Sequence, residues 1–257
     1  MKVAVLGKVD PKGLSFLIEN EFKVIEIESF EIQNLKEQLK DVDGILLRTT
    51  KLDKEILEHC DNLKIISRHG VGYDNVDLDF LNENKIALCI TSTSNAVSVA
   101  EHVLSFFIYL TKKLSLSDSL VKEGNFEKRS KLPNFFELYK KKVLIIGFGR
   151  IGKEVAKRCL GFDMEVYVYD PFLDNEIIIR NQCIPIEKNQ GLAIADFITI
   201  HLPLNRDTKN FISQTELNLM RKNSILVNTS RGGIVNENDL CIACLLYTSD
   251  AADDRGC

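Results

Sequence analysis

Short apolar runs alternate with amphipathic helical patterns along most of the chain. Runs of strand length lie at residues 2–6, 22–27, 43–48, 63–67 and 85–90. The alternation resumes after an interruption, with apolar runs at residues 142–146, 164–170, 196–201 and 223–229. Strands that alternate with helices pair in parallel, so the pattern predicts an α/β fold whose sheets are covered on both faces.

The longest helical pattern covers residues 95–113 and is apolar on two sides. A helix of this kind is expected to be buried between domains or subunits. We therefore predict a first domain over residues 1–94 and a second over residues 95–243. Residues 117–140 are polar and contain Gly124 and Pro133, which predicts a loop with helical pieces.

Composition narrows the class of protein. A net charge of −4 over 257 residues argues against a non-specific nucleic-acid binder. The longest apolar run, residues 103–110, is too short to cross a membrane, and the first residues resemble a strand rather than a signal peptide. Seven scattered cysteines suit a reducing compartment, so we expect a cytoplasmic protein. Cys241 and Cys244 form a C-x-x-C without a partner pair, and no metal site is predicted.

Three glycines follow the apolar run at 142–146 in the pattern G-x-G-x-x-G. In a dinucleotide site Gly147 permits the tight turn, Gly149 admits the pyrophosphate, and Gly152 lets the next helix pack closely. The start of that helix supplies N–H groups and a positive dipole end to phosphates. The alternative is a glycine turn in an ordinary β-α-β unit.

Asp170 ends the next strand, where a carboxylate can accept hydrogen bonds from both ribose hydroxyls of NAD. Pro171 and Phe172 follow it, and neither could bind the additional phosphate of NADP. The segment therefore favours NAD as the cofactor.

Other polar residues follow predicted strands. Residues 68–77, Arg-His-Gly-Val-Gly-Tyr-Asp-Asn-Val-Asp, combine glycines with acids after a strand. They predict an anion-binding turn, a tight turn with Asp77 capping the next helix, or both. His201 and Arg231 also follow strands, and ligands of open α/β sheets lie outside the carboxyl ends of strands.

Four motifs occur in a fixed order: Arg68-x-Gly-Val-Gly-Tyr-Asp-Asn-Val-Asp77, Gly147-x-Gly-Arg-Ile-Gly152, His201-Leu-Pro203 and Asn228-Thr-Ser-Arg-Gly-Gly-Ile-Val-Asn-Glu237. Together they closely resemble the D-isomer-specific 2-hydroxyacid dehydrogenases, the group that includes D-3-phosphoglycerate dehydrogenase. The resemblance extends from residue 1 to about Ala243. It implies two flavodoxin/Rossmann-like domains, one for substrate and one for NAD, with a cleft between them.

The resemblance also implies an activity and a set of residues. Family members transfer a hydride between NAD and a D-2-hydroxy acid or its 2-oxo acid. Arg231 matches the family's catalytic substrate arginine, and a guanidinium can bind a carboxylate and an adjacent oxygen as a fork. Val71 and Gly72 match backbone contacts to substrate. The positions that match NAD contacts are the three glycines with Arg150, Ile151, Asp170, Leu202, Pro203, Thr229 and Ser230.

Arg48 and Arg68 lie where the phosphoglycerate branch of the family carries basic residues. They could bind a substrate phosphate, or could instead pair with Asp74 or Asp77. Phosphoglycerate, glycerate, hydroxypyruvate and lactate-like acids all remain open as substrates. The resemblance further implies a homodimer formed through the helix at 95–113.

The chain departs from the family after Arg231. The family's proton-transferring histidine and its carboxylate partner belong to segments beyond Ala243, and no histidine follows His201. Residues 244–257 match nothing in the family and resemble a translated sequencing adapter, so we expect a non-native tail, an incomplete NAD domain and little turnover. The alternatives are an NAD-sensing, corepressor-like binding protein and a formate dehydrogenase on the same scaffold.

Overall fold

A computed structural model describes residues 1–249 and divides the chain into two compact units. The first unit ends at Asn95 and the second begins at Ala96. Each contains a five-stranded sheet, and all strand pairs within the described residues are parallel. The predicted α/β class with parallel sheets is confirmed. Within residues 1–249, no helix has the length and apolarity needed to cross a bilayer.

The first unit alternates strands and short helices. Its sheet has the order β2-β1-β3-β4-β5, so the chain reverses direction across the sheet between β1 and β3. The strands are β1 (Lys2–Leu6), β2 (Lys23–Ile27), β3 (Gly44–Leu47), β4 (Ile65–Arg68) and β5 (Ala87–Ile90). The helices are α1 (Pro11–Glu19), α2 (Ile32–Gln38), α3 (Lys54–Leu57) and α4 (Leu78–Glu83).

The second unit has the sheet order β10-β9-β6-β7-β8. It opens with α5 (Ala96–Thr111), α6 (Leu114–Lys122) and a 3₁₀ helix at Phe126–Lys131. The strands are β6 (Lys142–Ile146), β7 (Glu165–Tyr169), β8 (Ile184–Pro185), β9 (Phe197–Ile200) and β10 (Ile225–Asn228). The remaining helices are α7 (Arg150–Gly161), α8 (Asn175–Arg180), α9 (Lys188–Ile194), α10 (Gln214–Leu219) and α11 (Glu237–Ser249).

The central strand β6 is apolar throughout because both of its faces are covered. Val143 and Ile145 pack into one cluster with α5 and α7. Leu144 and Ile146 pack into a second cluster with α9 and α10. Alternation along an extended strand sends neighbouring side chains to opposite faces, so each face of the sheet has a core of its own.

In each sheet, an aspartate that precedes one strand accepts a hydrogen bond from the first residue of the neighbouring strand. Asp43 Oδ2 accepts a hydrogen bond from the backbone N–H of Lys2 at 2.8 Å. In the second unit Asp196 Oδ2 accepts one from the backbone N–H of Lys142 at 2.9 Å. Each aspartate is also paired with a cation, Lys64 at 2.7 Å and Arg221 at 2.6 Å respectively. The site residues predicted from the sequence lie at or after the opposite, carboxyl ends of the strands.

Three differences from the sequence prediction are local. Elements α8, β8 and α9 have no counterpart in the predicted pattern. The helix expected at 95–113 ends at Thr111, because Lys113 has a φ of 47° and the chain turns there into α6. The last helix extends past Ala243 to Ser249. Of the expected non-native tail, residues 250–257 lie outside the described residues.

Candidate functional site

Four predicted site segments share one edge of the second sheet. Each segment begins directly after a strand: Gly147 after β6, Asp170 after β7, His201 after β9 and Thr229 after β10. These strands are parallel, so their carboxyl ends meet at one edge. The structure therefore brings together the glycine turn, the acid and the segment before Arg231.

The three glycines meet different steric requirements. Gly147 has a φ of 92°, and a Cβ there would lie 2.8 Å from the carbonyl oxygen of His201. A Cβ on Gly152 would lie 2.2 Å from the carbonyl oxygen of Gly147. A Cβ on Gly149 would meet nothing within 4 Å, because this glycine faces open space at the start of α7. Gly147 and Gly152 thus shape the turn, and Gly149 leaves room for a ligand beside its backbone.

The start of α7 offers backbone donors to that space. Gly149 is the N-cap residue, and no side chain caps this helix. The first turn of a helix has N–H groups without intrahelical acceptors, and it carries the positive end of the dipole. Arg150 is exposed at the first helical position, whereas Ile151 is partly buried against the core. The arrangement suits an anion such as a pyrophosphate.

Asp170 is tied to the glycine turn by its carboxylate. Oδ2 accepts a hydrogen bond from the backbone N–H of Phe148 at 2.8 Å, and Oδ1 accepts one from Phe172 at 3.0 Å. A carboxylate has about four acceptor positions, so ribose hydroxyls can still bind to it. A pocket of about 480 Å³ opens beside Asp170, with walls that include Pro171, Pro185 and Glu187.

His201 contributes packing and a hydrogen bond rather than a charge. Its Nε2 lies 3.0 Å from the hydroxyl of the buried Thr199. Burial lowers the pKa of His201 from its usual 6.5 to about 4, so the ring is neutral near pH 7. Leu202 packs against the core and the glycine turn. The carbonyl of Pro203 accepts a hydrogen bond from the Thr208 hydroxyl at 2.5 Å.

Arg231 lies on a tight turn after β10. Its Nη1 donates to the carbonyl oxygen of Ser230 at 2.8 Å. Asn228 Oδ1 accepts from the Ser230 N–H at 3.0 Å and from the Ser230 hydroxyl at 2.6 Å. Asn228 Nδ2 donates to the carbonyl oxygen of Arg231 at 2.8 Å. The hydroxyl of Thr229 is buried and has no hydrogen-bond partner among the described residues.

In the first unit, Arg48 lies in a pocket of about 640 Å³ at the point where the chain reverses between β1 and β3. Its Nη1 donates to the carbonyl oxygen of Lys8 at 3.1 Å, and Lys8 also lines the pocket. The floor is apolar, with Leu35 and Ile56. Among residues 1–249, no carboxylate forms an ion pair with Arg48 or Lys8.

Arg68, Val71 and Gly72 belong to a different part of the first unit and do not line that pocket. The Arg68 guanidinium lies over Gly70 and donates to the carbonyl oxygen of His69. The N–H groups of Val71 and Gly72 donate to no acceptor in the described part of the chain. Asp77 caps α4 by accepting from the Phe80 N–H at 3.0 Å, as predicted.

The structure adds two residues that motif matching did not select as site residues. Asn228 organises the Arg231 turn, and the spacing Asn-x-Ser was the available signal, since asparagine side chains often accept from the backbone two residues on. Lys8 lines the Arg48 pocket, and its position directly after β1 and Gly7 was the corresponding signal.

Comparison with known proteins agrees with this geometry. Residues 104–246 match the family model described as the D-isomer specific 2-hydroxyacid dehydrogenase, NAD binding domain. The chain belongs to this dehydrogenase family. The match includes the glycine turn, Asp170 and the Arg231 turn, which are the parts of the second unit that carry candidate chemistry.

The similarity to individual family members extends over both units. The chain is 33% identical to a D-3-phosphoglycerate dehydrogenase of Archaeoglobus fulgidus, over 92% of this chain and 45% of the relative. It is 32% identical to a hydroxypyruvate reductase of Thermotoga maritima, over 93% of this chain and 77% of the relative. The chain spans less than half the length of several D-3-phosphoglycerate dehydrogenases that it matches.

A solved structure supports the fold of this chain. The NAD-dependent formate dehydrogenase of Staphylococcus aureus, solved in complex with NAD, is 31% identical with a TM-score of 0.83. The likeness covers 96% of this chain and 78% of that protein. The residues present here suit the same cofactor, because Gly149 leaves open space at the start of α7 and the buried Thr229 hydroxyl has no hydrogen-bond partner within residues 1–249.

Proposed function

We propose that the protein is an NAD-dependent oxidoreductase that transfers a hydride between NAD and carbon 2 of a D-2-hydroxy acid or 2-oxo acid. The observation that carries this proposal is the position of the Arg231 turn at the same sheet edge as the Gly147–Gly152 turn. A cation that binds carboxylates thereby lies on the ligand side of a dinucleotide cradle. The family relationship supports the same chemistry.

The second unit supplies the proposed cofactor contacts. NAD, when bound, supplies the nicotinamide ring that accepts or returns the hydride. The backbone of Gly149, Arg150 and Ile151 binds the pyrophosphate, and Asp170 accepts from the ribose hydroxyls. Further contacts come from residues after β9 and β10, namely Leu202, Pro203, Thr229 and Ser230.

Arg231 is the proposed catalytic residue of the described chain. Its guanidinium can donate two parallel hydrogen bonds, one to the substrate carboxylate and one to the oxygen on carbon 2. The second bond stabilises negative charge that grows on this oxygen as the carbonyl is reduced. The hydrogen bond to Ser230 O holds the side chain on the turn.

In the first unit we propose that Val71 and Gly72 donate backbone hydrogen bonds to the substrate. The lack of any acceptor for these N–H groups within the described residues supports this role. Arg68, beside them, and Arg48, in its own pocket, are proposed to bind a substrate phosphate. The protein should therefore prefer 3-phosphoglycerate to D-glycerate. Arg68→Ala and Arg48→Ala should each lose this preference.

We propose that residues 1–257 alone convert substrate slowly. Their histidines are at positions 59, 69, 102 and 201, all before Arg231, whereas the family's proton-transferring histidine lies after this arginine. His201, with a pKa of about 4, is a poor proton acceptor. Positioned acid–base catalysis contributes roughly a hundredfold to ten-thousandfold. Rapid NAD-dependent oxidation of any D-2-hydroxy acid by these residues would contradict this proposal.

A homodimer through α5 is also proposed. One side of α5 packs on the core of the second unit through residues such as Val103 and Phe107. Large apolar side chains remain exposed on the helix, namely Val97, Phe106, Tyr109 and Leu110. Light scattering should give twice the chain mass, and Tyr109→Glu should give the monomer mass.

A formate dehydrogenase is the second candidate, because a solved enzyme of that activity is 31% identical to this chain. Formate has a carboxylate but no oxygen on a second carbon. Reduction of NAD by formate, with no binding of 2-oxo acids, would favour this candidate.

The test of the main proposal is the binding of 2-oxo acids to the protein with NADH. NADH fluorescence is titrated with glyoxylate, hydroxypyruvate, pyruvate and 3-phosphohydroxypyruvate. At least one acid should bind, and Arg231→Gln should weaken it about a hundredfold, as expected for loss of a bidentate charged contact. No binding of any of the four acids would contradict the proposal.

A further inference from the structure

Asn228 is exposed at the end of a strand, yet its side chain forms hydrogen bonds within the chain. It is the last residue of β10, and its side chain amide makes three hydrogen bonds to the two residues Ser230 and Arg231. Oxygen and nitrogen of the amide are both used, the oxygen as an acceptor twice and the nitrogen as a donor once.

These bonds connect to the guanidinium of Arg231 through a short path. Asn228 Nδ2 fixes the carbonyl of Arg231, and Asn228 Oδ1 fixes the N–H and the hydroxyl of Ser230. The carbonyl of Ser230 in turn accepts from Arg231 Nη1 at 2.8 Å. The backbone on both sides of the arginine and one nitrogen of its head group are therefore held by the same small network.

We propose that Asn228 is a positioning residue for Arg231, which sets the direction of the guanidinium toward a bound carboxylate. This inference rests on the proposed function of Arg231. A fork that binds two oxygens of a substrate must be held within a fraction of an ångström, because small misplacements remove much of its advantage. Asn228 acts through the turn and the arginine and does not itself contact the substrate.

The chemistry of the amide explains why asparagine is required here. The network needs an acceptor for Ser230 and a donor for the Arg231 carbonyl from one side chain of this length. Aspartate offers acceptors only when ionised, and alanine offers neither group. Asn228→Asp retains the two bonds from Ser230 and loses the bond to Arg231, so it separates the two halves of the network.

The test uses the full chain with NADH and titrates it with oxalate, a dianion that carries a carboxylate and adjacent oxygens. Asn228→Ala and Asn228→Asp should each weaken oxalate about tenfold while the affinity for NADH stays within about twofold. Asn218→Ala, an exposed asparagine on α10 of the same unit, is the matched control and should bind oxalate as the unchanged protein does.

A double-mutant cycle separates positioning from a general loss of structure. In the Arg231→Gln background, titrated to high oxalate concentration, Asn228→Ala should cause no further loss of affinity, because there is no guanidinium left to position. Full additivity, a parallel loss of NADH affinity, or unchanged oxalate affinity in Asn228→Ala would overturn the inference alone. Failure of the unchanged protein to bind oxalate would overturn both the proposed function and this inference.

Discussion

The carboxylate of Asp170 accepts a hydrogen bond from the backbone N–H of Phe148, and the two atoms are 2.8 Å apart. Phe148 lies between the first two glycines of the turn, so the acid after β7 holds the loop after β6. Its other oxygen accepts from Phe172. One side chain therefore connects the proposed pyrophosphate and ribose contacts, and its loss is expected to affect both the turn and the cofactor.

Asp170→Asn should weaken NADH binding at least about tenfold and should also lower the melting temperature. The amide loses a charge and can accept through one oxygen only, so a bond to Phe148 or Phe172 is lost with part of the ribose contact. Fluorescence titration and thermal melts measure the two effects. Asp174→Asn is the control, because Asp174 also accepts from a backbone N–H, of Glu176 at 2.9 Å, and should affect stability without affecting NADH.

Two glycine-to-alanine substitutions should separate folding from cofactor binding. Gly152→Ala should destabilise the protein by about 1–3 kcal/mol, because the new methyl group would lie 2.2 Å from the Gly147 carbonyl oxygen. Gly149→Ala should change the free energy of unfolding by less than about 1 kcal/mol, since its methyl group meets nothing within 4 Å. The same methyl group projects into the proposed pyrophosphate space, so NADH affinity should fall. Equal stability of the two variants in urea would contradict this account.

The partly buried ring of His201 should make stability depend on pH. Its pKa in the folded protein, about 4, is below its usual 6.5, so the unfolded chain binds a proton that the folded protein resists. The stabilisation is complete above about pH 6.5 and is lost as the pH falls toward 4. The free energy of unfolding should fall between those two pH values, and His201→Gln should make this fall smaller by on the order of 2 kcal/mol. His59→Gln, which replaces an exposed histidine, is the matched control and should retain the pH dependence that His201 causes.

Glu216 should stabilise the start of α10 at neutral pH. Burial raises its pKa, but hydrogen bonds from Lys188 and Ser213 outweigh burial and lower the pKa to about 2. The contribution is therefore present above about pH 4.5 and is lost as the pH falls toward 2. Glu216→Gln should cost about 1–3 kcal/mol at pH 7 in chemical denaturation. Glu176→Gln, which breaks an exposed pair with Arg180, should cost less than about 0.5 kcal/mol.

The pattern of apolar runs predicted nine of the strands because apolar residues predominate in them, most of all in the central strands, which are buried on both faces. Strand β6 is the clearest case, with four buried residues in succession. Strand β8 was missed because it has only two residues, one of them Pro185. Helix α9 was missed because it is short and contains Gly191, which a helical pattern does not favour. A Cβ at Gly191 would lie 2.6 Å from a side-chain carbon of Leu144, so glycine is required by packing that the sequence does not reveal.

The candidate site was predictable where chemistry depends on residue type and spacing. The glycine turn, Asp170 and Arg231 belong to that group. Hydrogen bonds that depend on the folded turn were not predictable, including those of Asn228 and the bond between Asp170 and Phe148. From the sequence alone, Arg48 and Arg68 are candidates for one site that binds a substrate phosphate. The structure gives Arg48 a pocket that Arg68 does not line, since Arg48 follows β3 whereas Arg68 is the last residue of β4, and the two donate to different carbonyl groups.

The most direct test of the proposed function uses two titrations of residues 1–257, one with NADH and one with NADPH. Calorimetry measures binding in both. NADH should bind with one site per chain. NADPH should bind at least about tenfold more weakly, because its additional phosphate would face the Asp170 carboxylate. Absence of NADH binding, or tighter binding of NADPH than of NADH, would contradict the account.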